Sequence, residues 1–230
     1  MQESFVYFKN REHAGKMLLE KITSIQLDIH NTVVIALPRG GVPVALPVAQ
    51  GLHLPLDIVL VKKIGVPSAP ELAIGAVSED GEVFYNKDLM QYFNYSESDM
   101  MPYKKVALDK LEVLGAELRG ARTREKLENK DVIIVDDGIA TGATIEVVLQ
   151  LMQKKKVKKI IIATPVISPD VIQKLQNHVD KIISVIAPQF LSSIGEWYED
   201  FDQVETKNVV KILNNYPKIN ESSTLGSNAS

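Results

Sequence analysis

The sequence predicts an α/β protein with a mainly parallel, open sheet flanked by helices and a small insertion of hairpin and helix. Three observations predict it. Short apolar runs rich in Val and Ile recur at residues 32–37, 57–61, 132–135, 160–163 and 181–186, the pattern of strands buried on both faces. Segments with helical apolar spacing stand between most of them. Two of the runs end in loops of small residues that lead directly into a helix, at 38–41 and 138–144.

The chain of 230 residues is 45% hydrophobic and 24% charged, an ordinary globular balance. That length suits one α/β domain, expected over residues 1–219, with the insertion at about 66–130. A tail rich in Ser and Asn at 220–230 is expected to be disordered. The net charge of −3 gives no reason for polyanion binding, so no nucleic-acid partner is expected. The chain holds no cysteine, which excludes thiol catalysis, disulfides and Cys-type zinc sites and fits a cytoplasmic protein. No run reaches the ~18 apolar residues of a membrane span, and the N-terminus shows no signal-peptide core. His13, His30, His53 and His178 are scattered without ligand spacing, so no metal-ligating residues are expected.

In chain order, an apolar-aromatic run at 5–8 precedes Asn10, which can cap a helix through residue 25 with Ala14, Met17, Leu18 and Ile22 on one face. The strand at 32–37 leads into Pro38-Arg-Gly-Gly41 and a helix over 42–50, which Pro47 should kink or shorten. The strand at 57–61 ends in Lys62 and Lys63. Two prolines and a glycine make 65–71 a loop. Runs at 72–77 and 82–85 flank Ser78-Glu-Asp-Gly81 and predict a hairpin. Residues 86–103 show no clean period. Residues 104–128 read as mostly helix and hold Arg119, Arg122 and Arg124, which on a helix are most often a solvated face. Five lysines at 154–159 complement a helix C-terminus. A helix over 169–177 starts at Ser168 and Pro169, and another is expected at 206–214.

The most informative stretch is Asp131-Val-Ile-Ile-Val-Asp-Asp-Gly-Ile-Ala-Thr-Gly-Ala-Thr144. It reads as a buried strand, two carboxylates, a small-residue loop and a helix start. Small residues let backbone N–H groups converge on an anion, and the helix behind adds unpaired N–H groups and its positive dipole end. Thr141 and Thr144 add hydroxyl donors. Asp136 and Asp137 stand at the strand's carboxyl end, where ligands bind in open α/β sheets. They repel phosphate but suit hydroxyls, so the expected ligand is a sugar phosphate. An Asp pair that merely caps the helix would not require the thirteen positions 132–144 in this order.

Residues 132–144 resemble the signature of type I phosphoribosyltransferases: four apolar residues, two acidic ones and a Thr/Gly-rich loop. Gly138 stands where an apolar residue is usual, and Ala143 where Gly is common. Arg11-x-x-Ala14-Gly15, Pro38-Arg-Gly-Gly41, Glu71-Leu-Ala-Ile-Gly75 and the Trp-Tyr-x-Asp-Phe-x-Gln stretch ending at Gln203 are similar to one microbial branch of that family. The resemblance implies the type I phosphoribosyltransferase fold and transfer of a 5-phosphoribosyl group from phosphoribosyl pyrophosphate (PRPP) to a nucleobase-like nitrogen. Nucleotide metabolism is the implied setting.

The same resemblance assigns the residues. Asp136 and Asp137 would hold the ribose hydroxyls beside the reacting carbon. Ile139, Ala140, Thr141, Gly142, Ala143 and Thr144 would hold the 5-phosphate. Arg39, Gly40 and either Lys62 or Lys63 would meet the pyrophosphate, and Arg122 would reach it from a mobile basic segment. Mg²⁺ is the implied cofactor, bridging pyrophosphate and ribose oxygens. A homodimer is held open. The Trp197-Tyr198 stretch would either cover the acceptor or pack the C-terminal helix. Two other functions fit less well. A PRPP-sensing regulator would keep the pocket without the chemistry, and a dinucleotide enzyme would need a G-x-G-x-x-G after a strand, which is missing.

Overall fold

The computed structural model describes residues 8–120 and 122–216. The expected tail at 220–230 and most of the aromatic run at 5–8 lie outside them. Helix α1 (Arg11–Thr23) begins at Asn10, whose side chain accepts from the His13 N–H. There follow β1 (Thr32–Ala36), α2 (Gly41–Leu52), β2 (Leu56–Ile58), β3 (Val61–Val66), β4 (Ala69–Ser78) and β5 (Val83–Tyr85). Helices α3 (Lys87–Tyr92) and α4 (Glu97–Arg119) then lead to β6 (Asp131–Val135), α5 (Ala143–Lys154), β7 (Lys159–Val166) and α6 (Pro169–Leu175). The chain continues through β8 (Lys181–Ile186), a single 3₁₀ turn at Gly195–Trp197 and α7 (Thr206–Asn215).

Five strands form one parallel sheet in the order β2-β1-β6-β7-β8. Its centre is buried on both faces, which is why β1 and β6 read as unbroken apolar runs. Val34 and Ala36 of β1 and Ile133 and Val135 of β6 face the core shared with α1 and α2. Val33, Ile35, Val132 and Ile134 alternate onto the other face, against α5 and α6. Among the described residues no helix is long and apolar enough to cross a membrane.

The insertion is a second sheet, β3-β4-β5, antiparallel throughout, with α3 and α4. Here the structure corrects three expectations. The strand expected at 57–61 stops at Ile58, and Val61 opens β3 in the other sheet, so Lys62 and Lys63 belong to a hairpin strand. The loop expected at 65–71 is largely strand, joined tightly to β4. The bulge at Gly65 broke the alternation that would have shown it. Helix α2 runs through Pro47 to Leu52. Its apolar surface is packed on α1, where a Cβ on Gly15 would lie 2.3 Å from the Val44 carbonyl oxygen.

The start of α4 was legible and missed. The Ser96 hydroxyl accepts from the Asp99 N–H, and the Asp99 carboxylate accepts from the Ser96 N–H, a capping box. The helix ends at Arg119, short of the 128 expected. The lysine run behaves as a helix end: Lys154, Lys155 and Lys156 pair with Glu82, Asp80 and Glu128.

Candidate active site

Strands β1 and β6 are neighbours, yet the chain leaves them in opposite directions. After β1 it passes through α2 to β2; after β6 it passes through α5 to β7. The two loops diverge and open a crevice at the carboxyl edge, as at any topological switch point. Both loops of the expected site therefore meet there.

They touch. A Cβ on Gly40 would lie 1.9 Å from Asp137 Oδ2 and 2.5 Å from its Cγ, and one on Gly41 would lie 2.6 Å from the Val135 carbonyl oxygen. Only glycine allows the first loop to lie against the acidic pair. The Leu37 N–H donates to the Val135 carbonyl, tying the two strand ends, and the Pro38–Arg39 peptide is cis. The Arg39 side chain lies near the start of α7, 3.5 Å from Thr206 Oγ1.

The Asp137 N–H donates to Asp136 Oδ1 at 2.9 Å, and Thr164 Oγ1 donates to the Asp136 carbonyl. Burial, followed by the neighbouring Asp137 carboxylate, pushes the Asp136 carboxyl well above its usual range, and Lys63 and Arg11 offset this only in part. Burial also raises Asp137, against the bond from Arg11. The pair is short of positive charge. The charge of Lys63 acts on Asp136. Lys62 and Lys63 alternate across β3.

Sequence reasoning gave Arg11 no role in the site. Its Nε donates to Asp137 Oδ2 at 2.8 Å and its Nη1 to the Asp202 carbonyl at 2.8 Å. The guanidinium carbon lies 3.9 Å from the centre of the Phe201 ring. Tyr198 Oη donates to the Asp137 carbonyl at 2.6 Å. Residues 194–202 thus form a strap across the back of the acidic pair, paired in turn with Phe8 through the Phe8–Trp197 and Glu199–Phe8 backbone bonds. Trp197 and Tyr198 are core residues of this strap, packed with Phe8, Ala14 and Val166. The only sequence signal for Arg11 was its place in a shared pattern, because its partner is 126 residues away.

The second loop is anchored at one end. The Ile139 N–H donates to the Val166 carbonyl, and Ile139 is buried against α5 and α6. Its amide is therefore committed, and the expected cradle narrows to residues 140–144. Gly142 holds φ +77° and serves as the N-cap of α5 without a side-chain bond. Glycine reaches that conformation without strain, and the first N–H groups of α5 are left unpaired by the helix itself. Arg122 is corrected outright. Its guanidinium donates to the carbonyls of Leu213, Tyr216 and Leu56, so it fastens the end of α7 to the start of β2, level with Val34 in the middle of β1. Arg119 and Arg124 are held by Glu79 and Asp80.

Residues 6–204 match the family model of the phosphoribosyl transferase domain. The chain belongs to the phosphoribosyltransferase family. It is 35% identical over 206 residues to Rv0571c and to MT0597, relatives from two Mycobacterium tuberculosis strains that carry a provisional phosphoribosyl transferase name. The match covers 90% of this chain and 46% of those relatives, so the chain spans about half their length. It is also similar to the crystal structure of TT1426 from Thermus thermophilus, at 35% identity and TM-score 0.76, covering 90% of this chain and 97% of that one.

In this phosphoribosyltransferase domain the unusual Gly138 has a structural cause. A Cβ there would lie 2.3 Å from Ile194 Cγ2 and 2.6 Å from its Cδ1. The strap's Ile194 fills the space that an apolar residue at 138 would take. Gly138 therefore admits the strap.

Proposed function

We propose that this domain transfers the 5-phosphoribosyl group of PRPP to a nitrogen of a nucleobase-like acceptor and releases pyrophosphate. The observation that carries it is the contact of Gly40 with Asp137, which brings a basic strand-end loop and two buried carboxylates together beside a glycine-capped helix start. The backbone amides of 140–144, with Thr141 and Thr144, hold the 5-phosphate. Asp136 and Asp137 accept from the ribose hydroxyls. Arg39, the Gly40 amide and Lys63 gather the pyrophosphate charge.

The C1–oxygen bond breaks with its electron pair leaving on pyrophosphate, and the acceptor nitrogen forms the new C1–N bond and gives up a proton. The acidic pair sits beside the positive charge that develops on the sugar, where preorganised carboxylates contribute most. Mg²⁺ fits this donor set, because the pair is short of positive charge and offers the hard oxygens the ion prefers. Asp136 and Asp137 would hold it through water and the ribose hydroxyls, and its contribution is to neutralise the leaving pyrophosphate. The absence of cysteine supports action in the cytoplasm.

The test is pyrophosphate release from PRPP and Mg²⁺ across a panel of nucleobases, with PRPP binding measured by calorimetry. Base-dependent release is the expected result. PRPP binding with no release for any base would favour the sensor, and no PRPP binding would overturn the proposal.

A further inference from the structure

We propose that Arg11 is a positioning residue for the sugar: it holds Asp137 by one oxygen so that the other accepts from a ribose hydroxyl. The inference rests on the assignment of Asp137 to ribose. Three features of the geometry support it. The ion pair is single, from Nε to Oδ2, where arginine and carboxylate commonly pair through two parallel bonds. Only Oδ2 is engaged by it, so Arg11 does not occupy Oδ1. The guanidinium is also held elsewhere, because Nη1 donates to the Asp202 carbonyl and its carbon lies 3.9 Å from the centre of the Phe201 ring. Both partners are well covered, with side chains 11% and 17% exposed, so the bond is shielded from the solvent that weakens surface pairs.

The backbone of the same residue is held by the same strap, through Tyr198 Oη on the Asp137 carbonyl. Side chain and backbone of Asp137 are thus both tied to α1 and residues 194–202, and the oxygen that Arg11 holds is also the one nearest the Gly40 loop. Arg11 needs no contact with substrate to act. Its consequence is specific to the sugar: the 5-phosphate cradle at 140–144 is built from backbone and two threonines that Arg11 does not touch.

The test compares ribose 5-phosphate with inorganic phosphate by calorimetry, without turnover. Arg11→Met keeps apolar contact with Phe201 and removes the bonds to Asp137 and Asp202. The expected result is ribose 5-phosphate affinity lowered about tenfold or more, with inorganic phosphate affinity unchanged. Arg11→Lys, which can return one donor to Asp137, should recover part of the loss. Unchanged sugar affinity in Arg11→Met, or equal loss for both ligands in a folded variant, would overturn the proposal. If Arg11→Met does not fold, Arg11→Lys decides by the same comparison of the two ligands. Wild-type protein that binds inorganic phosphate but not ribose 5-phosphate would instead overturn the assignment of Asp137 to ribose.

Discussion

Gly40 is the residue against which Asp137 rests: a Cβ at position 40 would fall 1.9 Å from Asp137 Oδ2. The atom displaced by such a Cβ is the end of a side chain, so the fold can survive while the carboxylate moves. Gly40→Ala should therefore leave the thermal midpoint within a few degrees and lower kcat/KM by about 10²-fold, the scale of a misplaced reacting group. Wild-type turnover in Gly40→Ala would remove the contact from the mechanism.

Gly138 and Ile194 form a second steric pair. Gly138→Val alone drives its branched side chain into Ile194 and should cost about 1–3 kcal/mol, as overpacking does. Adding Ile194→Ala opens the space, and the double variant should regain most of that loss. Denaturant unfolding of the four proteins of the cycle measures the coupling. Additive losses would show that the two side chains do not compete.

Asp136 should oppose folding at neutral pH. Its folded carboxyl titrates well above the usual range through burial and the Asp137 charge, whereas the unfolded group loses its proton near pH ~4. Between those limits the folded chain binds more protons, so stability falls as pH rises through the window. Asp136→Asn cannot ionise and can still accept from the Asp137 N–H. Its thermal midpoint should exceed wild type by more at pH 8 than at pH 4. A gain that is the same at both pH values would show that Asp136 is not raised.

Arg122 should matter for the fold and not for PRPP. Arg122→Ala removes the donor shared by three carbonyls and leaves partly buried acceptors bare, at about 1–3 kcal/mol. Lower thermal stability with an unchanged KM for PRPP is expected. A tenfold rise in KM, about 1.4 kcal/mol of lost binding, at unchanged stability would return Arg122 to the leaving group.

The central parallel strands, the two strand-to-helix loops and the acidic pair were legible in the residues alone. These depend on local chemistry: β-branched runs for strands buried on both faces, small residues for a backbone cradle, carboxylates at a strand end. The tertiary structure alone decided which charges stand beside that pair. Lys62 and Lys63 are adjacent in sequence, and only the fold brings the charge of Lys63 to bear on Asp136. Arg122 stands in an arginine-rich segment and Arg11 in a shared pattern, and neither setting names its partner. One is drawn to the carbonyls of Leu213, Tyr216 and Leu56, and the other reaches Asp137 across 126 positions. No local pattern encodes such a partner, because ion pairing follows distance in space, and that distance is set by how α1, the strap and β6 pack.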